Sequence, residues 1–497
     1  MLPVGATAMD AAPWSDDPHL TITPRTADEA ARITAVTRPT EDFSKPEPFE
    51  SRPAGAATVA LKPTADAFSQ FSGNMPFAHE MDFKLGNGIF RKLWVAAPSS
   101  TRGSDGLGPL YNARACQNCH IKDGRGHLPK GDDDSRVSAF LRLSVPGGAD
   151  VPAIPDYIPT SPDPVYGGQL QDLAIQGHRA EGHMAIRWTD VPVSLADGAV
   201  ITLRQPGYAL ERPGYGAPSA DLMISPRVAP QMIGLGLIEA IPAADILALQ
   251  DPDDADGDGI SGRANIVWSV EHDRPMLGRF GLKAGAPTIR HQSAAAFAGD
   301  MGLSNPLFPD PWGDCTPAQT DCRKAPVGQE DQVRDGLEVD GQSLDLVTFY
   351  SRNLGVPERR EPGRADVLRG KQIAYAIGCT SCHNPKFVTH RLPDQPEQSF
   401  QLIWPYSDFL LHDMGEGLAD DRPESRATGR EWRTAPLWGI ALNRQVTGVE
   451  SYLHDGRARS LLEAILWHGG EAQAARDAVV ALPETDRKAL IAWLESL

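Results

Sequence analysis

Hydrophobic and polar positions change period several times along the chain, and each change marks a stretch of different architecture. Residues 1 to 60 are rich in Pro, Ala, Thr and Asp without sustained periodicity, which predicts an extended N-terminal arm laid over the surface. From Ala65 to Val95 the pattern turns helical and aromatic, with Phe68, Phe71, Phe77, Phe83, Phe90 and Trp94 available as apolar wall. Between Arg136 and Leu210 the period becomes two. Val137, Ala139, Leu141 and Leu143 alternate with polar or small residues, and His183 to Trp188 and Ala199 to Leu203 predict hairpin strands around Ala196-Asp197-Gly198. Helical character returns at Gln231 to Ile241 and Ala243 to Leu249. The last stretch, from Arg364, opens with a helix over Ala365 to Ile377. It closes with one over Thr485 to Leu497, where Leu490, Leu494 and Leu497 share a face flanked by Ile491 and Trp493.

Two copies of Cys-x-x-Cys-His punctuate this pattern, at Cys116-Gln117-Asn118-Cys119-His120 and Cys379-Thr380-Ser381-Cys382-His383. In that signature two thiols bond to haem vinyl groups and the following imidazole ligates the iron. A zinc site would need four closed ligands, and neither copy has a second Cys-x-x-Cys or a His-x-x-x-His close by. A thioredoxin-like site would sit in a βαβ unit and would not need the trailing histidine. Two covalently attached haems c are therefore expected. With 497 residues the chain is long enough for two or three domains. The expected fold is mainly α: two cytochrome c-like haem domains, 61–363 and 364–497, after the arm 1–60, with a β-rich insertion at about 136–210 in the N-terminal half.

Six cysteines less the four of the motifs leave Cys315 and Cys322, with six residues between them in a Pro/Gly/Asp-rich stretch. They are placed to close a small disulfide, which persists in an oxidising compartment; a pair of exposed thiols is the other reading. An exported, periplasmic protein follows. Met1 to Pro13 lacks a basic n-region and an apolar run, so the sequence reads as a mature form with its leader removed. No stretch approaches the ~20 apolar residues of a membrane span. The formal charge of −18, from 47 Lys and Arg against 65 Asp and Glu, disfavours nucleic acid and anionic membranes as partners and would draw a small basic electron carrier.

The sixth position of each iron decides between an electron carrier and a catalyst. Thirteen histidines less the two of the motifs leave eleven candidates, of which His468 stands out. Ser460 to Gly470 reads as a helix with a glycine stop, and His468 follows Leu461 and Ile465 at i+7 and i+3, on the apolar face. It is the expected distal ligand of the Cys379/Cys382 haem; the alternative is a histidine bound to the last helix carbonyls. His454 and Arg457 lie in the turn Tyr452-Leu453-His454-Asp455-Gly456-Arg457 and combine a proton shuttle with a stabilising charge, as peroxide cleavage requires, or else form a plain turn and ion pair. For the distal side of the His120 haem the candidates are His127, His412 and Met414, or an open position. Asp254, Asp256 and Asp258 precede Gly259 as in a calcium loop, although position twelve would be Asn265 where an EF-hand has Glu; the alternative is a solvated acidic turn. Gly124 and Gly126 lack the strand-then-helix setting of a dinucleotide loop and give backbone room beside the first haem.

The run of segments Asp105 to Asn112, Cys116 to Gly126, Ile233 to Ala240, Asp254 to Arg263, Gly278 to Lys283, Ala294 to Gly302, Leu411 to Leu418, Glu431 to Trp438 and His454 to Gly470 resembles the bacterial di-haem oxidoreductase family, whose members are labelled thiol oxidoreductases or peroxidases. That family is distantly similar to the di-haem cytochrome c peroxidases. In those relatives a His-Asp/Ser-Gly turn precedes a helix carrying the second haem's distal ligand, commonly Met. The resemblance sets His454 on the turn and His468 on the ligand, implying a His/His second haem of lower potential. It also implies that the haem on His120 meets substrate and the haem on His383 relays electrons. The relatives' glutamine and glutamate pocket motif has no recognisable counterpart; Gln231 and Glu239 stand as its replacements. The expected function is reduction of a small oxidant such as hydrogen peroxide, with His454, Arg457 and Glu239 assisting and a small redox protein as donor or acceptor. The alternative is a two-haem carrier without its own substrate, linked to metal uptake.

Overall fold

The computed structural model describes residues 12–129, 138–329 and 334–497. Met1 to Ala11 of the arm, and Arg136 and Val137 at the start of the alternating stretch, lie outside the described residues. The chain is 30% helix and 18% strand, which overturns the expectation of a mainly α protein built from two cytochrome c-like domains. Its longest helices, Ile289–Met301 and Glu484–Ser496, have 13 residues each, and many of the others are single turns. The cause is visible in the composition. With 47 glycines and 43 prolines, helical patterns are interrupted before they propagate.

The aromatic stretch illustrates this. Ala65 to Val95 was expected to be helical throughout, but it forms 3₁₀ turns at Ala65–Ala67 and Phe77–His79 and one helix, Glu80–Phe90, that starts beyond Pro76. Phe83 and Phe90 of that helix face inward and join Trp94, Phe297 and Tyr350 in one core cluster. Gln231 to Ile241 likewise shortens to the helix Leu235–Glu239, which begins after Gly234 at φ 72°. The 60-residue arm holds a helix, Ala27–Thr37, started by a Thr26/Glu29 capping box. Ion pairs tie the arm down: Arg25 meets Asp245 at 2.9 Å, and Glu50 meets Lys371 at 2.9 Å.

The alternating stretch holds the longest strands. His183–Ser194 pairs antiparallel with Val200–Glu211 over twelve positions, from His183↔Glu211 to Ser194↔Val200, and Gly198 turns the hairpin at φ 86°. Val193, Leu195 and Leu203 near its tip are buried in the same cluster as Trp404, Trp467 and Trp493 from the end of the chain. A three-stranded sheet runs in the order Thr160–Ser161, Ala139–Pro146, Met223–Val228. The other sheets among the described residues are pairs.

Helices Ala365–Ala376 and Glu484–Ser496 pack together as closely as backbone allows. A Cβ on Gly370 would lie 2.0 Å from the Ala489 carbonyl oxygen, so only glycine fits there. Leu490, Leu494 and Leu497 are buried as the pattern predicts, and Trp493 is buried with them. A central cluster joins Phe68, Ile233 and Ile266 to Phe387, Phe409 and Trp438, drawing on both sides of position 363. Among the described residues no helix is long and apolar enough to cross a membrane.

Candidate functional site

Both Cys-x-x-Cys-His motifs open onto one cavity of about 920 Å³. In the first, Cys116–Cys119 forms a single helical turn and His120 follows it, its N–H donating to the Cys116 carbonyl at 3.0 Å. The His120 Nδ1 lies 2.7 Å from the carbonyl oxygen of Pro230. A carbonyl can only accept, so Nδ1 carries the hydrogen and the lone pair sits on Nε2. The second motif repeats the device: His383 donates from Nδ1 to the Tyr406 carbonyl at 2.9 Å. Burial pushes both imidazoles down to about 4, so they are neutral and able to ligate. Burial also pushes the Cys116 and Cys379 thiols up to about 12.

His468 is the third imidazole of this kind. Its Nδ1 donates to the Ala464 carbonyl at 2.8 Å, burial lowers its pKa, and it lines the cavity near enough to His383 to disfavour charge there. One nitrogen of His468 satisfies a helix carbonyl, and among the described residues the other has no hydrogen-bond partner. The walls around the three rings are apolar, among them Phe90, Met232, Phe280, Met301, Leu461 and Trp493. The Phe90 ring is 6.2 Å from that of His120. Gly126 lies off the cavity wall and allows a close backbone approach behind the first motif, since a Cβ there would sit 2.4 Å from the Ser138 carbonyl oxygen and 3.2 Å from that of Cys119. Two thiol pairs, each with a neutral imidazole whose Nδ1 is already engaged, around a large apolar cavity fit haem twice.

The other predicted residues separate. His454 lines the cavity, stacked on Trp432 at 3.8 Å and 10°. Its Nε2 is buried without a hydrogen bond, and burial, working against Asp455, pushes it down to about 3. Arg457 does not join it on the wall: its Nε donates to Asp455 at 2.8 Å and its Nη1 to the Gly417 carbonyl at 2.5 Å, so it holds the turn together. Glu239 is also off the wall. It accepts from the Ile289 N–H at 2.8 Å and from Arg352 Nε at 2.9 Å, which starts the helix Ile289–Met301. Gln231 lines the cavity but donates to the Trp438 carbonyl at 2.7 Å.

Of the candidates for the far side of His120, His127 is buried off the cavity wall with its Nδ1 donating to the Leu128 carbonyl at 2.7 Å. His412 is held at both nitrogens, Nε2 by Asp408 at 2.8 Å and Nδ1 by Glu471 at 2.7 Å. Burial opposes its charge, but the hydrogen bonds prevail and push it up to about 12, leaving no lone pair for iron. Met414 lines the cavity beside His468, its carbonyl against Gly469, on the side of the second motif. A residue not picked out from the sequence, His291, lines the cavity from the helix Ile289–Met301, with Nδ1 unbonded and its pKa pushed by burial to about 4. Its signal was a His-Gln pair in the first turn of an alanine-rich helix. At the acidic turn, Asp251 rather than Asp258 joins Asp254 and Asp256, with ligand atoms within 4.8 Å of one another. Asp258 instead accepts from the Ile260 N–H at 2.9 Å. Cys315 and Cys322 are buried side by side, their Cα atoms 6.2 Å apart.

A cavity shared by two such motifs defines a protein of the two-haem class. Residues 50–497 match the family described as "Di-haem oxidoreductase, putative peroxidase", and the chain belongs to that family. No curated protein and no solved structure matches the chain.

Proposed function

We propose that the protein is a periplasmic oxidoreductase that carries two covalently attached haems c and reduces an oxidant such as hydrogen peroxide at the haem of His120, with electrons relayed by the haem of His383. The reading rests on an asymmetry. His468 offers an unengaged Nε2 on the His383 side of the cavity, whereas His127 is off the wall, His412 is locked between carboxylates and Met414 lies beside His468. Haem held by Cys116, Cys119 and His120 would supply the redox centre for the oxidant. The chain's own groups then manage protons and charge. His454 presents a neutral imidazole on the wall with Nε2 3.8 Å from the Asp455 carboxylate, which would offset the charge if the ring took up a proton during turnover. Arg227 and Arg422, both on the wall and paired to Glu424 at 3.0 and 3.1 Å, favour developing negative charge. A small redox protein drawn by the acidic surface exchanges electrons with the chain. A Cys315–Cys322 disulfide suits the periplasm, and a calcium ion suits the turn of Asp251, Asp254 and Asp256.

The alternative, an electron carrier without its own substrate, is favoured by one observation: His291 on the wall has an unbonded nitrogen able to close the first iron. Absorption and magnetic circular dichroism spectra separate the two readings. One high-spin haem that responds to peroxide supports the enzyme. Two six-coordinate low-spin haems that ignore peroxide, oxidised and reduced, support the carrier.

A further inference from the structure

Seven arginines line the cavity. Four have carboxylates within 4 Å: Arg227 and Arg422 share Glu424, Arg279 meets Asp17 and Arg476 meets Asp477. Arg142 lies with its guanidinium 5.4 Å from the Phe140 ring. The remaining two are different. Among the described residues, Arg125 and Arg433 hydrogen-bond only to main-chain carbonyls and have no carboxylate within 4 Å; the Asp455 charge acts on Arg125 and the Asp408 charge on Arg433 from farther away, and the Arg433 guanidinium lies 5.9 Å from the Phe409 ring.

Arg125 donates from Nη2 to the Leu453 carbonyl, and its Nε is buried with no partner. Arg433 donates from Nε to the Gly281 carbonyl at 2.9 Å and from Nη1 to the Thr434 carbonyl at 3.1 Å. Burial pushes both guanidiniums down to about 10, which still leaves them charged at neutral pH. A cation withdrawn from water without a counter-charge costs several kcal/mol, so proteins place an anion beside it. Asp455 and Asp408 supply charge only from beyond 4 Å, which leaves each guanidinium free to bond an anion brought by whatever fills the cavity. Haem brings two propionate carboxylates, and guanidinium binds carboxylate in a two-pronged, charge-assisted geometry.

The two arginines also divide between the motifs. Arg125 lies five residues beyond His120, on the chain that leaves the first motif through Gly124. Arg433 ends the strand Glu431–Arg433, which pairs with Leu411–Asp413. The neighbouring Ser407-Asp408 segment donates from Ser407 Oγ to the Thr434 carbonyl at 2.7 Å and from the Asp408 N–H to the Cys382 carbonyl at 2.9 Å. One cation with no carboxylate bonded to it thus stands near each motif.

We propose that Arg125 anchors a propionate of the haem on the first motif and Arg433 a propionate of the haem on the second, each supplying a bonded counter-charge in a largely apolar cavity. The assignment rests on the reading of the cavity as a two-haem site, and a haem count on the wild-type protein tests that reading separately. If the wild type holds no haem, both fall. If it holds two, potentiometric titration of wild type, Arg125→Leu and Arg433→Leu, followed optically, tests the arginines alone. Removing a cation beside a propionate favours the oxidised haem, so each substitution should lower the potential of one haem and not the other. The expected size is a tenfold rise in the oxidised-to-reduced ratio at fixed potential, about 59 mV for a one-electron couple. Arg125→Lys and Arg433→Lys keep the charge, cover the case of a leucine variant that does not fold, and should recover most of the shift. Unchanged potentials, or both substitutions moving the same haem, overturn the proposal. So does a shift that occurs only when acetate is present, which would mark the arginines as a site for a free anion.

Discussion

His412→Leu removes a cation from between two carboxylates, and the structure sets the size of the effect. The ring is 3% exposed, with Asp408 at 2.8 Å on Nε2 and Glu471 at 2.7 Å on Nδ1. Glu471 keeps three partners after the substitution: the Asp413 N–H at 3.0 Å and the N–H and Oγ of Ser261 at 3.1 and 3.0 Å. Asp408, 2% exposed, keeps only the Leu410 N–H at 3.0 Å on its other oxygen. Its carboxylate loses its hydrogen-bonded cation and keeps only the more distant attraction of the Arg433 guanidinium, and breaking a buried pair in this way costs about 3–5 kcal/mol. Urea unfolding of the haem-loaded protein, followed by the Soret band and by tryptophan fluorescence, measures it as a lower midpoint at unchanged slope. Adding Asp408→Asn should recover much of the loss, because a neutral amide at that position needs no counter-charge. A cost below about 1 kcal/mol for His412→Leu, or no recovery in the double variant, would refute the reasoning that His412 is a locked imidazolium.

Three other outcomes follow from the structure. His468→Ala should convert the second haem from low to high spin, and His468→Met should keep it low spin at a higher potential; an unchanged absorption spectrum in the alanine variant removes His468 as a ligand. Burial raises the Glu181 carboxyl from 4.5 to about 8 although it accepts from the Gln171 N–H at 2.7 Å and from Gln319 at 2.5 Å. The unfolded chain releases that proton first, so this group's contribution to stability should be lost as pH rises from about 4.5 through about 8. Glu181→Gln should flatten the stability profile in that window, as read from denaturation midpoints across pH. Gly126→Ala puts a Cβ 2.4 Å from the Ser138 carbonyl and should cost about 1–3 kcal/mol, with reduced haem incorporation at the first motif.

The two motifs and the placing of His468 beside the second were legible because their signals are local: fixed spacing in one case, and in the other an apolar pattern that continues past the helix Leu461–Leu466. The hairpin was legible for the same reason, since alternation and an Asp-Gly turn lie within a short stretch. The balance of helix and strand was not. Strands such as Leu411–Asp413 and Glu431–Arg433 are three residues long and exist only because they pair across 20 positions, which no local period encodes. Helices that looked continuous in 65–95 were cut by Pro76 and by residues held in turns. Arg457 and Glu239 were picked for their chemistry, yet Asp455 and Arg352 turn them into structural pairs. His291, Arg125 and Arg433 acquire their meaning from the cavity, which is assembled from segments as far apart as Phe90 and Leu494.

The central claim is that the two haem sites differ in their sixth position, with His468 closing the second and no fixed protein ligand closing the first. Low-temperature electron paramagnetic resonance of the fully oxidised, haem-loaded protein tests it most directly. The account predicts one high-spin ferric signal and one low-spin signal of the bis-imidazole type, with only the low-spin signal lost in His468→Ala. Two low-spin signals in the wild type, or a low-spin signal that survives His468→Ala, would contradict it.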